Sequence, residues 1–170
     1  MVNDIGIYSE MFQKEPKFSD LLLEPLIAGA LDKLKRAART EGVAIDIHLS
    51  PEVKHVQGDP DDLETMFFYL VQNSLEAIDK DNPYLRITSR GLPTDPRFLE
   101  VEIFNNGPPP SQEQLENLFV PFFSSKPYGT GFGLPIAQLA ARKSLGDLFL
   151  EPVPGKGTRC VVKLAIPSES

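Results

Sequence analysis

Cysteine is nearly absent. The chain holds one, Cys160, which excludes an internal disulfide and a cysteine cluster for a metal. Its context, Arg159-Cys160-Val161-Val162, reads as a strand carrying a buried structural thiol. No apolar run is long enough to span a bilayer, and no signal peptide is visible. Positive charge is also short: 17 Lys and Arg stand against 24 Asp and Glu, a net charge of -7. That balance argues against a nucleic acid or an anionic membrane surface as partner. What is present suits one globular domain with a sizeable core: 170 residues, 41% hydrophobic and 24% charged.

Along the chain, Val2, Ile5, Tyr8 and Phe12 fall near helical spacing, and Glu15-Pro16-Lys17 breaks that helix. Ser19 or Asp20 is placed to cap a second helix with Leu22, Leu26, Ala30 and Leu34 on one face, ending at Gly42. Val43, Ile45 and Ile47 alternate as a strand. Asp59-Pro60 starts the most strongly patterned helix, with Asp59 as cap and Pro60 at the first helical position. Its core face is Leu63, Met66, Phe67, Leu70, Ser74 and Ile78. At 100° per residue, Tyr69, Asn73 and Glu76 share one flank, where a ligand site would lie. Strands follow near residues 85–90 and 98–104. Ser111 caps a short helix, Pro135 lies near the start of another that runs to about Ser144, and residues 148–150 and 159–166 read as a hairpin about Pro154-Gly155-Lys156-Gly157.

Two segments carry chemistry. Asn73, in Leu70-Val71-Gln72-Asn73-Ser74, offers a neutral oxygen of the kind magnesium accepts while sharing phosphates. Gly129-Thr130-Gly131-Phe132-Gly133-Leu134 is a glycine-rich turn opening a helix. Such turns let the backbone approach phosphates and present free N–H groups to an anion. The turn follows Leu118-Phe119-Val120-Pro121-Phe122-Phe123-Ser124-Ser125-Lys126.

That order and spacing resembles the GHKL ATPase superfamily, specifically the ATP-binding catalytic domain of sensor histidine kinases. The short lid is most similar to kinases of the nitrogen-regulation type. The resemblance runs from about Phe18 to Pro167. It implies an α/β two-layer sandwich, a mixed β-sheet packed on helices, with ATP and Mg as ligands and a cytoplasmic setting. Asn73 is then the magnesium ligand, and Lys126 reaches a phosphate from the lid. Asn105, Gly107, Gly129, Thr130, Gly131, Gly133 and Leu134 line the nucleotide. Residues 1–15 become a linker or the tail of a dimerisation helix, and 16–170 the catalytic domain. The implied partners are a histidine-bearing dimerisation domain and a response regulator, without nucleic acid or direct membrane contact.

The chain also departs from the family pattern. Asn105-Asn106-Gly107-Pro108-Pro109 stands where the family has Asp-x-Gly-x-Gly. Asn105 retains an acceptor oxygen for the adenine amine but no charge, and Pro109 stiffens the loop. Tyr69 stands where hydrolysing relatives carry a glutamate; a phenol is a poor base near pH 7. Glu76 is a candidate to orient metal-bound water. Neither His48 nor His55 stands in the family's phosphoacceptor pattern. A kinase catalytic domain is therefore expected. A degenerate module acting by docking, or an anti-sigma-type serine kinase of the same superfamily, are the alternatives.

Overall fold

The computed structural model describes residues 4–121 and 133–168. Phe122, Phe123, Lys126, Gly129, Thr130, Gly131 and Phe132 lie outside the described residues, so the expectations placed on them gain no structural description.

Five strands form one mixed sheet in the order β2-β4-β5-β7-β6. They are β2 (Ala44–His48), β4 (Tyr84–Gly91), β5 (Phe98–Asn105), β6 (Asp147–Val153) and β7 (Gly157–Ala165). β2 runs parallel to β4; the remaining pairs are antiparallel. One face of the sheet packs on the helices α3 (Pro60–Ala77) and α5 (Gly133–Lys143), and α2 (Leu23–Arg36) packs against α3. This is the α/β two-layer sandwich expected from the sequence. Strands β4, β5 and β7 send alternate residues into the core: Leu85 and Ile87, then Leu99, Val101 and Ile103, then Cys160, Val162 and Leu164, all buried. The Cys160 thiol is pushed up to about 12 by burial, so it is an inert packing group.

The outer sheet face is polar. Arg159 bridges Glu102 at 2.9 Å and also binds Glu151, while Arg86 approaches Glu102 at 3.4 Å. Arg86 lies over the Phe104 ring, 5.0 Å from its centroid. The result is a charge ladder across four strands, which keeps this face wet without adding much stability per pair.

α3 begins as its sequence requires. Asp59 accepts hydrogen bonds from the Asp61 and Asp62 amides at 3.0 and 3.2 Å, and Pro60 occupies the first turn. All six residues assigned to its core face are buried. A short helix, α4 (Gln112–Asn117), starts in a reciprocal capping box between Ser111 and Gln114.

Two expectations need correction. Ser19 and Asp20 do not cap α2; they lie in β1 (Ser19–Leu22), which pairs antiparallel with β3 (His55–Gly58) as a separate two-stranded ribbon. α2 starts with Leu22 as an N-cap that makes no side-chain bond, and the Leu23 amide reaches the Lys54 carbonyl at 2.9 Å. α2 ends at Arg36, short of Gly42. Ala38 takes the left-handed conformation (φ 55°), and the Arg39 amide closes on the Leu34 carbonyl at 2.9 Å.

α1 (Asp4–Gln13) packs on α5 and buries Met11. Its C-terminal carbonyls are taken by Lys143 of α5, whose Nζ donates to the Met11 and Lys14 oxygens. Lys14 then reaches across to Asp59 and Asp62, 3.2 Å from each. This ionic cluster ties the end of α1 to the start of α3.

Candidate functional site

The core rows of β5 and β7 end in polar residues. Asn105 continues the row Leu99-Val101-Ile103, and Thr158 begins the row Cys160-Val162-Leu164. The two are directly opposite in the β5–β7 register, so their side chains share the helix-facing side. Asn105 is 3% exposed and Thr158 5%. The Thr158 hydroxyl has no hydrogen-bond partner among the described residues. Buried polar groups left this way are uncommon and point to an absent ligand or water.

The backbone around this pair is crowded. A Cβ on Gly107 would sit 1.6 Å from the Ala77 carbonyl oxygen at the end of α3, and one on Gly157 would sit 1.9 Å from the Asn105 carbonyl oxygen. Only glycine fits either place. The loop is further fixed by Asn106, which accepts from the Tyr84 amide at 3.1 Å and donates to the Asn82 carbonyl at 2.7 Å. Asn105 Oδ1 accepts from the Gly107 amide at 2.9 Å. Pro108 and Pro109 are exposed beyond it.

On α3, Asn73 is half-buried and Tyr69 is 7% exposed. Tyr69 donates its hydroxyl to Asp4 of α1 at 2.7 Å. Burial first, and then Asp4, hold its phenol well above the ordinary tyrosine value. Gly133, the first residue of α5, lies against the Tyr69 ring: its Cβ would be 3.4 Å from Tyr69 Cδ1. α5 therefore begins one turn of α3 away from Asn73, with Leu134 buried behind it. Glu76 is exposed and engaged by Arg39 at 3.0 Å and Gln72 at 3.1 Å, which leaves it less suited to orienting a water.

The structure thus brings Asn105 and Gly107 together at the sheet end, beside the end of α3, and sets Gly133 against Tyr69. Thr158 is a further candidate for this site. Its signal in the sequence is a lone hydroxyl at the head of an otherwise apolar inward row, in the segment Gly155-Lys156-Gly157-Thr158. Among the described residues, no group of three or more His, Cys, Asp or Glu could hold a metal by itself. A metal here would have to share its ligands with phosphate.

Comparison with known proteins agrees with this geometry. A sandwich of this topology is found in the nucleotide-free catalytic domain of the histidine kinase ThkA. The two share 26% identity and a TM-score of 0.76, over 88% of this chain and 96% of that one. Residues 58–168 match the family described as histidine kinase-, DNA gyrase B-, and HSP90-like ATPase, and the chain belongs to that family. It is a catalytic ATPase domain of the histidine-kinase type, an ATP-binding domain. It is 28% identical over 141 residues to the sensor histidine kinase ZraS of Klebsiella oxytoca, covering 83% of this chain and 30% of that protein. It is 32% identical over 115 residues to sporulation kinase C of Bacillus subtilis, covering 68% of this chain and 26% of that one. The chain therefore spans less than a third of the length of these curated relatives.

Proposed function

We propose that the chain binds Mg-ATP and passes the γ-phosphoryl group to a histidine on a separate dimerisation domain, from which a response regulator receives it. The observation that carries this reading is the buried Asn105–Thr158 pair set over the Gly107 cradle. The pair lies at the sheet end, beside the C-terminal end of the α3 helix that bears Asn73. The residues fit the nucleotide: an unpartnered hydroxyl to meet the base edge, and a helix start at Gly133 for phosphate. Asn73 would hold the magnesium, which when bound neutralises phosphate charge. Lys126, Gly129, Thr130 and Gly131 complete the phosphate side in this reading. Residues 1–15 are the end of a dimerisation helix or a linker, and the domain proper is 16–170, in a cytoplasmic setting.

Tyr69 fixes what the site does not do. Its phenol is buried, bonded to Asp4 and held protonated, so it takes no proton from water. Isolated chain is expected to bind ATP but hydrolyse it slowly and label no residue of its own. It should transfer acid-labile phosphate when a histidine-bearing domain is supplied. Steady-state phosphate release checks this: fast release that Tyr69→Phe abolishes would overturn the kinase reading.

The metal assignment has its own test. Calorimetric titration with a non-hydrolysable ATP analogue should show that Asn73→Ala weakens binding roughly tenfold with magnesium present and changes it little without. Equal Mg-dependent affinity in the variant removes Asn73 from the metal. A docking module is the reading left if no nucleotide binds. The exposed apolar residues Ile5 and Phe12 on α1 are the observation in its favour.

A further inference from the structure

We infer that Arg39 is a further residue for the triphosphate, a guanidinium carried in from the loop between α2 and β2 and held beside Asn73 by Glu76. Its role rests on the Mg-ATP reading above and extends the phosphate side of that site.

The loop is built to place this side chain. Ala38 takes the left-handed conformation at φ 55°, which residues other than glycine adopt only at an energetic cost. The turn it makes brings the Ala38 amide to the Lys35 carbonyl and the Arg39 amide to the Leu34 carbonyl, both at 2.9 Å. Arg39 is therefore anchored through its backbone at the end of α2, the helix that packs along α3.

The side chain then crosses to α3. Arg39 Nη2 donates to Glu76 Oε1 at 3.0 Å, and Gln72 Nε2 donates to the same oxygen at 3.1 Å. Gln72 lies one turn before Glu76, so the shared oxygen, and the guanidinium with it, is drawn back toward the turn of residues 72 and 73. Asn73 lies three residues before Glu76, about 60° away around the helix. Helical neighbours at that spacing have Cβ atoms about 5–6 Å apart. The guanidinium thus stands on the flank that carries Asn73, beside the phosphate chain whose metal Asn73 holds.

Charge gives the arrangement its purpose. A bare Glu76 carboxylate on this flank would repel a triphosphate, in a chain already at a net charge of -7. Paired with Arg39, the same carboxylate is neutralised and holds a donor in place. Among the described residues Arg39 contacts only Glu76, through Nη2, and its side chain is 43% exposed. The other guanidinium N–H groups form the planar fork that suits phosphate oxygens. As an exposed ion pair the two residues add little to stability, so their effect should appear in binding rather than in melting.

The experiment is a calorimetric titration of the whole chain, with magnesium, using a non-hydrolysable ATP analogue and AMP. Arg39→Ala is expected to bind the triphosphate about tenfold more weakly and AMP about as the parent does. Glu76→Gln added to Arg39→Ala should restore part of the lost affinity, because the uncovered carboxylate is gone. Triphosphate affinity unchanged in Arg39→Ala overturns the inference while leaving the nucleotide site intact. So does an equal loss for both ligands, which marks a general disturbance rather than a phosphate contact. Binding of neither ligand to parent protein that is folded by circular dichroism overturns the nucleotide site itself, and this inference with it. Arg39→Gln, which keeps donors without the charge, carries the same comparison if Arg39→Ala does not fold.

Discussion

Gly107→Ala should melt about 6–12 °C below the parent protein and lose nucleotide affinity together with stability. The added methyl group would stand 1.6 Å from the Ala77 carbonyl oxygen and 2.6 Å from its carbon. Both are backbone atoms, so no side chain can turn aside. Loop and helix end must part by about 1.5 Å to reach ordinary contact. Overpacking of this kind costs about 3 kcal/mol, and a domain of this size loses about 2–4 °C per kcal/mol. The same displacement pulls the Gly107 amide from Asn105 Oδ1 and frees the amide to rotate. Gly155→Ala is the control. Gly155 has φ +73° but nothing within 4 Å, so it meets only the left-handed backbone penalty of about 1–2 kcal/mol. Thermal melts of the two variants decide the matter: if Gly107→Ala melts with the parent, the close approach described here is wrong.

The second large effect belongs to the ionic cluster under α1. Asp59→Ala should cost about 3–5 kcal/mol, because it removes a helix cap and a partner of Lys14 at once. Asp59 accepts from the Lys17, Asp61 and Asp62 amides at 2.9, 3.0 and 3.2 Å. Burial raises its carboxyl, but the bonds from Lys17, Asp62 and Lys14 outweigh burial and hold it below the ordinary value. Asp62 moves the other way. Burial leads, its Oδ2 has no hydrogen-bond partner, and its carboxyl stays above the ordinary value despite Lys14. The signs follow by linkage. A lowered carboxyl stabilises the fold above its unfolded value, and that stability is lost as pH falls through the folded value. A raised carboxyl does the reverse: stability rises as pH falls through the raised value toward the ordinary one. Acidification from neutral pH should therefore first relieve Asp62 and then undo Asp59. Asp62→Asn is expected to remove the first, stabilising limb of a melting-temperature profile between pH 7 and 3. Asp59→Ala should remove the second, falling limb. A profile identical in all three proteins would show that the cluster does not couple to folding.

How much the sequence discloses depends on the range of the interaction. Asp59-Pro60, the Ser111 cap and the helical pattern of α3 are local, and each stands in the structure as written. β1 and β3 were not legible. They pair only with each other, and β1 shows no inward–outward alternation, since Ser19, Asp20 and Leu22 are all exposed. The end of α2 was missed because an alanine, not a glycine, takes the left-handed position. On α3, the partners of the candidate site residues were not visible. Asp4 meets Tyr69 and Arg39 meets Glu76 across long stretches of chain. Thr158 was hidden because its meaning lies in Asn105 on the neighbouring strand.

That last pairing has a consequence for how the protein reaches its native state. Residues 105 and 158 meet only when β5 zips onto β7 around α4 and α5. Closing so long a loop is entropically costly and slow compared with forming either hairpin partner or α3. The Asn105–Thr158 pair is consequently among the late products of folding, absent from any species in which the central strands are unpaired. A nucleotide held across the two strands, as proposed, would recognise the finished sheet alone. By mass action it raises the midpoint of unfolding with its concentration. Ligand binding and completion of the fold then become one event, read by a single melting curve.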